Sequence, residues 1–230
     1  MTGRQGGSGL PVAAFAGTVF WKQVVSMVDL VDKVVVVTGA SRGLGLNLAL
    51  QAGRRRGRVV LLARSTSLLR EIAGGIEEAG GEALPLHADL TREESVVAAF
   101  REAGERWGRV DLLCNAAGLV EPLAPVAELP GPALLQSLLV NVYGLCLATR
   151  EALKRMKEQE GGGRVVNITS GAAGKAYRGW SAYGSQKAAV DAFTRVAAAE
   201  MDSTSCRVFA LSPGPFESGM QETLRAADPE

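Results

Sequence analysis

The chain has 230 residues, of which 47% are hydrophobic and 21% charged, and a formal net charge of +1. That length fits one domain with enough apolar side chains to bury a core, and the balanced charge provides no electrostatic footprint for nucleic acid. Its one histidine excludes a His-based triad or a multi-histidine metal site. Its three cysteines (Cys114, Cys146 and Cys206), odd in number and far apart, read as reduced core thiols of a cytoplasmic protein and not as a disulfide frame or metal site.

Residues 1–26 read as a flexible extension, rich in glycine at its start. Leu10 to Trp21 is apolar but too short to span a bilayer, so no stable membrane insertion is expected. The segment is compatible with a signal-peptide core, a membrane-surface anchor or translated upstream sequence. A dispensable extension ahead of Met27 is the favoured reading, with a weak anchor as the alternative.

Residues 27–230 then carry alternating strand and helix patterns. Strands are expected near 33–38, 58–63, 83–88, 110–114, 163–169 and 206–211. The segments between carry helix patterns, among them Leu46 to Ala52, Glu93 to Trp107, Leu134 to Glu158 and Tyr183 to Met201. Such alternation predicts an α/β fold with a doubly wound parallel sheet and helices on both faces. The single histidine, His87, falls at a strand end and reads as structural.

The first strand pattern ends at Thr38-Gly39-Ala40-Ser41-Arg42-Gly43-Leu44-Gly45. Strand, glycine turn and helix form a unit that can bind a dinucleotide. Glycine lets the backbone approach phosphate, and the helix N-terminus offers free N–H groups to the anion. The spacing is Gly-x-x-x-Gly-x-Gly, and no Gly-Lys-Ser/Thr follows, which argues against a triphosphate loop. A site that prefers NAD places an acid about 20 residues beyond the glycines. No Asp or Glu occurs between Val59 and Arg70; Arg64 follows the second strand pattern, and Arg42 lies in the glycine loop. Two guanidinium groups there suit a 2′-phosphate, so NADP(H) is the expected cofactor.

Tyr183 and Lys187 lie four residues apart in a helix pattern, on one face. A phenol titrates near 10 in water. A lysine cation about 4 Å away, at an effective dielectric of about 20, contributes roughly 4 kcal/mol, enough to bring the phenol toward neutrality. Ser170 ends the strand pattern Gly163 to Thr169, at the sheet edge where open α/β sheets bind ligands, and its hydroxyl can polarise a carbonyl.

These motifs, with Asn115-Ala116-Ala117-Gly118, Asn141 and Pro213-Gly214 in the same order, resemble the short-chain dehydrogenase/reductase family from about Val31 to Gln221. The resemblance implies a Rossmann-type sheet, a small carbonyl substrate, and a homodimer or homotetramer paired through the helices near 134–158 and 183–203. It implies that Tyr183 is the acid or base, that Lys187 lowers its pKa and holds the nicotinamide ribose, and that Ser170 orients the carbonyl. Asn141 would hold a relay water through a locally perturbed helix. Cofactor contacts would come from Gly39, Ser41, Arg42, Gly43, Leu44 and Gly45 of the loop, and from Arg64. Asp89 and Leu90 would lie at the adenine, and Asn115, Ala116 and Gly118 along the central sheet edge. Tyr183 and Lys187 would lie at the ribose, with Pro213, Gly214, Phe216 and Ser218 at the carboxamide. Family members usually continue through a substrate helix and a seventh strand. The last strand is therefore expected to be missing, with the exposed edge either covered by a partner or left as a truncated form.

The segment Tyr177 to Tyr183, with Phe193 to Val196 and Met220-Gln221, resembles the sepiapterin reductase and benzil reductase branch. Ala172, Tyr177, Trp180, Phe216 and Met220 would line an apolar pocket for a small ketone or vicinal diketone. A ketoacyl or steroid ketone reductase is the sibling reading. A non-catalytic NADPH-binding sensor or scaffold is the reading from a different class.

Overall fold

The computed structural model describes residues 30–201 and 204–214. The N-terminal extension and the predicted contacts Phe216, Ser218 and Met220 lie outside the described residues. Six parallel strands form one sheet: β1 (Val34–Thr38), β2 (Arg58–Ala63), β3 (Glu82–His87), β4 (Leu112–Asn115), β5 (Arg164–Ile168) and β6 (Arg207–Leu211), in the order β3-β2-β1-β4-β5-β6. Helices α1 (Gly43–Arg54), α2 (Thr66–Glu78), α3 (Glu93–Trp107), α4 (Gly131–Leu138), α5 (Leu145–Glu158) and α6 (Ser181–Glu200) connect them. Each expected strand is present to within two residues at either end. Among the described residues β6 is an edge strand, and Phe209 on it is half exposed.

The sequence of β1 explains its central place. All five residues of Val34 to Thr38 are buried. A strand covered on both faces reads as a continuous β-branched run and not as an alternating one. Successive side chains point to opposite faces. Val34 and Val36 accordingly pack in a core with Phe100 of α3 and Met156 of α5. Val35 and Val37 pack in a second core with Ala49 of α1 and Leu69 and Ile76 of α2.

Strand order reverses between β1 and β4, which opens a crevice at their C-terminal ends. Thr38 Oγ1 ties the two strand ends together, donating to Asn115 Oδ1 at 3.5 Å and accepting from the N–H groups of Ala116 and Ala117 at 3.1 and 3.3 Å.

One expected helix is divided. The pattern from Leu134 to Glu158 forms α4 and α5, joined by a six-residue π-turn, Leu139–Gly144. Gly144 is needed there: a Cβ would lie 2.6 Å from the Leu90 carbonyl oxygen. By length and hydropathy the continuous stretch Gly131–Glu158 would suffice to cross a membrane. Its residues Leu145, Leu147, Ala148, Ala152 and Met156 are instead buried within the fold.

Candidate active site

The glycine loop builds the first wall of the crevice. Gly39 has φ +68°, and a Cβ on it would lie 2.7 Å from Ala117 Cα, so only glycine lets β1 turn this close to the chain leaving β4. A Cβ on Gly45 would run into the Gly39 carbonyl, which keeps the first turn of α1 against the strand end. Arg42 precedes α1 in extended conformation and is exposed, with Ser41, Gly43 and Leu44 partly exposed beside it. The free N–H groups of that turn can receive a phosphate.

Arg64 is exposed just past the end of β2. Asp89 lies just past the end of β3. Hydrogen bonds to its Oδ1 from Thr91 N (3.0 Å) and Thr91 Oγ1 (2.8 Å) hold its carboxyl below the usual range, and Arg64 adds to that effect. That electrostatic contribution places Arg64 and Asp89 in one neighbourhood.

Asn115 stands in a buried polar line across the sheet. Its Nδ2 donates to Thr149 Oγ1 at 3.0 Å and to Asn167 Oδ1 at 2.9 Å, and Asn167 Nδ2 donates to Thr194 Oγ1 of α6 at 3.0 Å. Asn167 and Thr194 were not among the expected site residues. Their signal was a polar residue inside the apolar strand Arg164–Ile168 and another seven residues beyond Lys187 on the same helix.

Tyr183, Ser170 and Lys187 converge at the C-terminal end of β5. Tyr183 is buried, and Ser170 is near enough to its phenol to lower the phenol's pKa. Ser170 Oγ also accepts from Ala172 N at 3.2 Å, which fixes the hydroxyl over the short turn that follows. Lys187 is 3% exposed and donates from Nζ to the Ile168 carbonyl at 2.8 Å. That is the one hydrogen bond of the ammonium itself among the described residues, and its remaining protons are available to a ligand. A Cβ built on Gly118 would lie 3.4 Å from Asn141 Oδ1 and 3.9 Å from Lys187 Nζ, so Gly118 leaves open the space between those two groups. Pro213 and Gly214 follow β6 at the same sheet edge.

The expected electrostatics need correction. Four-residue spacing predicted a phenol pulled toward neutrality by Lys187. Instead, burial pushes the Tyr183 phenol up, and Ser170 only partly offsets it. Burial also pulls the Lys187 ammonium down to about 8, partly offset by Asp191. The ammonium lies 5.6 Å from the Tyr183 ring centroid and is tied to a backbone carbonyl. Removal of each group from water is the largest influence on both, disfavouring phenolate and ammonium alike.

Of the residues expected to line an apolar pocket, Ala172, Tyr177 and Trp180 are described, and they lie near Tyr183. Tyr183, Ala172 and Val120 form a small buried cluster, with Leu123 and Trp180 packed against it. Tyr177 and Trp180 are 5.1 Å apart between ring centroids, and Trp180 and Tyr183 are 5.9 Å apart, edge to face. Val120 and Leu123 were not singled out from sequence. All three cysteines are free, and burial raises the Cys114 thiol to about 12. No cluster of potential metal ligands occurs among the described residues.

Residues 33–229 match the family model described as short chain dehydrogenase. The chain belongs to the short-chain dehydrogenase family. Its relatives include the cis-4-hydroxycyclohexanecarboxylate dehydrogenase of Sinomonas cyclohexanicum, 34% identical over 201 residues that cover 85% of this chain and 79% of that one. Among solved structures of the family, a metagenomic short-chain oxidoreductase in complex with NADP superposes with a TM-score of 0.77 at 31% identity, covering 82% of this chain and 85% of that one. An NAD+-bound xylitol dehydrogenase does so with a TM-score of 0.78, also at 31% identity, covering 82% and 74%. As a short-chain dehydrogenase the chain is an oxidoreductase that uses a nicotinamide cofactor.

Proposed function

We propose that this oxidoreductase uses NADPH to reduce a small ketone or vicinal diketone, with Tyr183 as the proton donor. One observation carries the reading: a buried phenol, a serine hydroxyl and a buried ammonium converge beside the glycine-lined crevice. A phenol raised by burial is fully protonated at neutral pH, the state required of an acid in reduction. Ser170 would hold the carbonyl oxygen close to the phenol, polarising it and presenting it for protonation. Lys187 would hold the nicotinamide ribose with the protons that Ile168 leaves available. When bound, the reduced nicotinamide supplies the hydride. Both N–H groups of the Asn141 amide are engaged within the protein, so a relay water at Asn141 would be met by the backbone of the π-turn.

Arg42 and Arg64, with no acid at the end of β2, favour the 2′-phosphate of NADPH. Arg64→Asp is expected to weaken NADPH binding roughly 10- to 100-fold, the loss of a charge-assisted hydrogen bond, while NADH binding holds or improves. Titration of cofactor fluorescence measures this, and an unchanged NADPH affinity would remove Arg64 from the site.

The vicinal diketone reading rests on the aromatic rings of Tyr177 and Trp180 leading to Tyr183. NADPH oxidation in the presence of benzil, phenylpropanedione and sepiapterin, with a ketoacyl and a steroid ketone alongside, tests it. Turnover confined to the last two would move the substrate class. Cofactor binding with no turnover on the whole panel would favour a sensor or scaffold.

Pairing through α6 is favoured by an exposed stripe of small and apolar residues, Ala189, Ala192, Val196 and Ala199, spaced to share one helix face. Light scattering at micromolar protein should give the mass of a dimer or tetramer, and a clean monomer would overturn the assignment.

A further inference from the structure

Gln186 lies between Tyr183 and Lys187 in the chain and has no part in the chemistry above. It is 1% exposed, yet both ends of its amide are engaged. Oε1 accepts from Asn141 Nδ2 at 2.6 Å, and Nε2 donates to Ser137 Oγ at 2.8 Å. Ser137, equally buried, donates onward to the Leu134 carbonyl at 3.0 Å. Asn141, with no exposed surface, closes the line on the chain after β4: Oδ1 accepts from Leu119 N and Nδ2 donates to Leu119 O, each at 2.7 Å.

Every group in this line has one role. The single Ser137 proton goes to Leu134 O, so Ser137 must accept from Gln186 Nε2. Gln186 must then present its oxygen to Asn141, and Asn141 must present its N–H. The Leu119 peptide demands the same orientation of Asn141. Reversing either amide would set donor against donor and acceptor against acceptor in a buried site, where unmatched polar groups are expensive. The line therefore ties four segments in one geometry: α4, the π-turn, the loop after β4, and α6 at the residue next to Lys187. A π-turn disrupts regular helix bonding and is common at functional sites, so it needs outside support of this kind.

We propose that Gln186 is a positioning residue for the reaction, setting the π-turn at Asn141 against the Tyr183–Lys187 face of α6 and so the geometry of proton delivery. The proposal rests on the carbonyl reductase reading. A residue that merely packed the helix would, when changed, lower stability and cofactor affinity without altering the step that moves the proton.

The test is Gln186→Met, which keeps the length and apolar volume and removes both hydrogen bonds. Relative to the unchanged chain, kcat should fall about 10-fold or more, with the substrate KM and NADPH Kd within about 3-fold. The solvent deuterium isotope effect on kcat should rise, and the Leu119 amide proton should exchange faster. Unchanged kcat and isotope effect in Gln186→Met would overturn the proposal while leaving the reductase reading intact. So would a fall in kcat accompanied only by lost stability and weaker cofactor binding. If Gln186→Met fails to fold, Ser137→Ala, which removes both bonds of the Ser137 hydroxyl but keeps the bond between Asn141 and Gln186, decides: a smaller fall in kcat with a rise in isotope effect supports the role, and no change overturns it. No turnover by the unchanged chain on any carbonyl would overturn the reductase reading, and this proposal with it.

Discussion

Tyr183→Phe is expected to lower kcat for carbonyl reduction by roughly 10²- to 10⁴-fold, the usual contribution of a positioned general acid. The substitution removes one oxygen and little else. The ring stays buried in the cluster of Val120 and Ala172, and its edge-to-face contact with Trp180 at 5.9 Å is kept. Ser170 keeps the hydrogen bond from Ala172 N, so its hydroxyl stays anchored. NADPH affinity should change by no more than about 5-fold, since a lost neutral hydrogen bond is worth about 1 kcal/mol at most sites. A variant that kept a tenth or more of the activity would point to another acid. The Lys187 ammonium is then the first candidate, because it is buried in the same pocket with protons to give.

The sheet was legible because each central strand, once covered on both faces, had to be an unbroken apolar run, and Val34 to Val37 and Val59 to Leu62 are such runs. The pairing of Tyr183 with Ser170 was legible from chain order, because a strand that ends in hydroxyl residues delivers them to the edge where the next helix begins. The π-turn was not. Apolar residues recur at helical spacing from Leu134 to Leu153, and that pattern is compatible with one continuous helix. What divides it is tertiary: the packing of Leu90 on Gly144 and the ties from Asn141 to Leu119 and Gln186. The electrostatics of Tyr183 and Lys187 were illegible for a related reason. Spacing on a helix gives the face shared by Tyr183 and Lys187. Whether water reaches them, and which carbonyl the ammonium meets, depends on β5 and on the loops above it. Desolvation reversed the sign expected for the phenol, and no local pattern carries that quantity.

Lys187→Met should separate function from stability. Burial lowers the Lys187 ammonium from 10.5 to about 8. That difference corresponds to about 3 kcal/mol, the penalty the folded state carries for burying the charge below pH 8. The sign follows from which state holds the proton. Below about 8 the group is charged in both states and the penalty is constant. Between about 8 and 10.5 the folded protein gives up its proton while the unfolded chain keeps it, so this group's contribution makes the protein more stable as pH rises. Methionine has no such dependence. The stability of the unchanged chain relative to Lys187→Met should therefore shift in favour of lysine by up to about 3 kcal/mol between pH 7 and pH 10.5, measured by denaturant unfolding at each pH. At pH 7 the two should lie close together, because methionine relieves the buried charge but leaves the Ile168 carbonyl without its donor, a loss of about 1–3 kcal/mol. Activity should behave differently. Reduction should fall by about 10² or more in Lys187→Met at neutral pH. In the unchanged chain kcat/KM should decline as pH rises through about 8, where the free enzyme loses the ammonium. A stability difference that stays flat from pH 7 to pH 10.5 would mean that the ammonium is solvated in the folded protein. The correction to the Tyr183 electrostatics would then fail too, since both rest on the same exclusion of water.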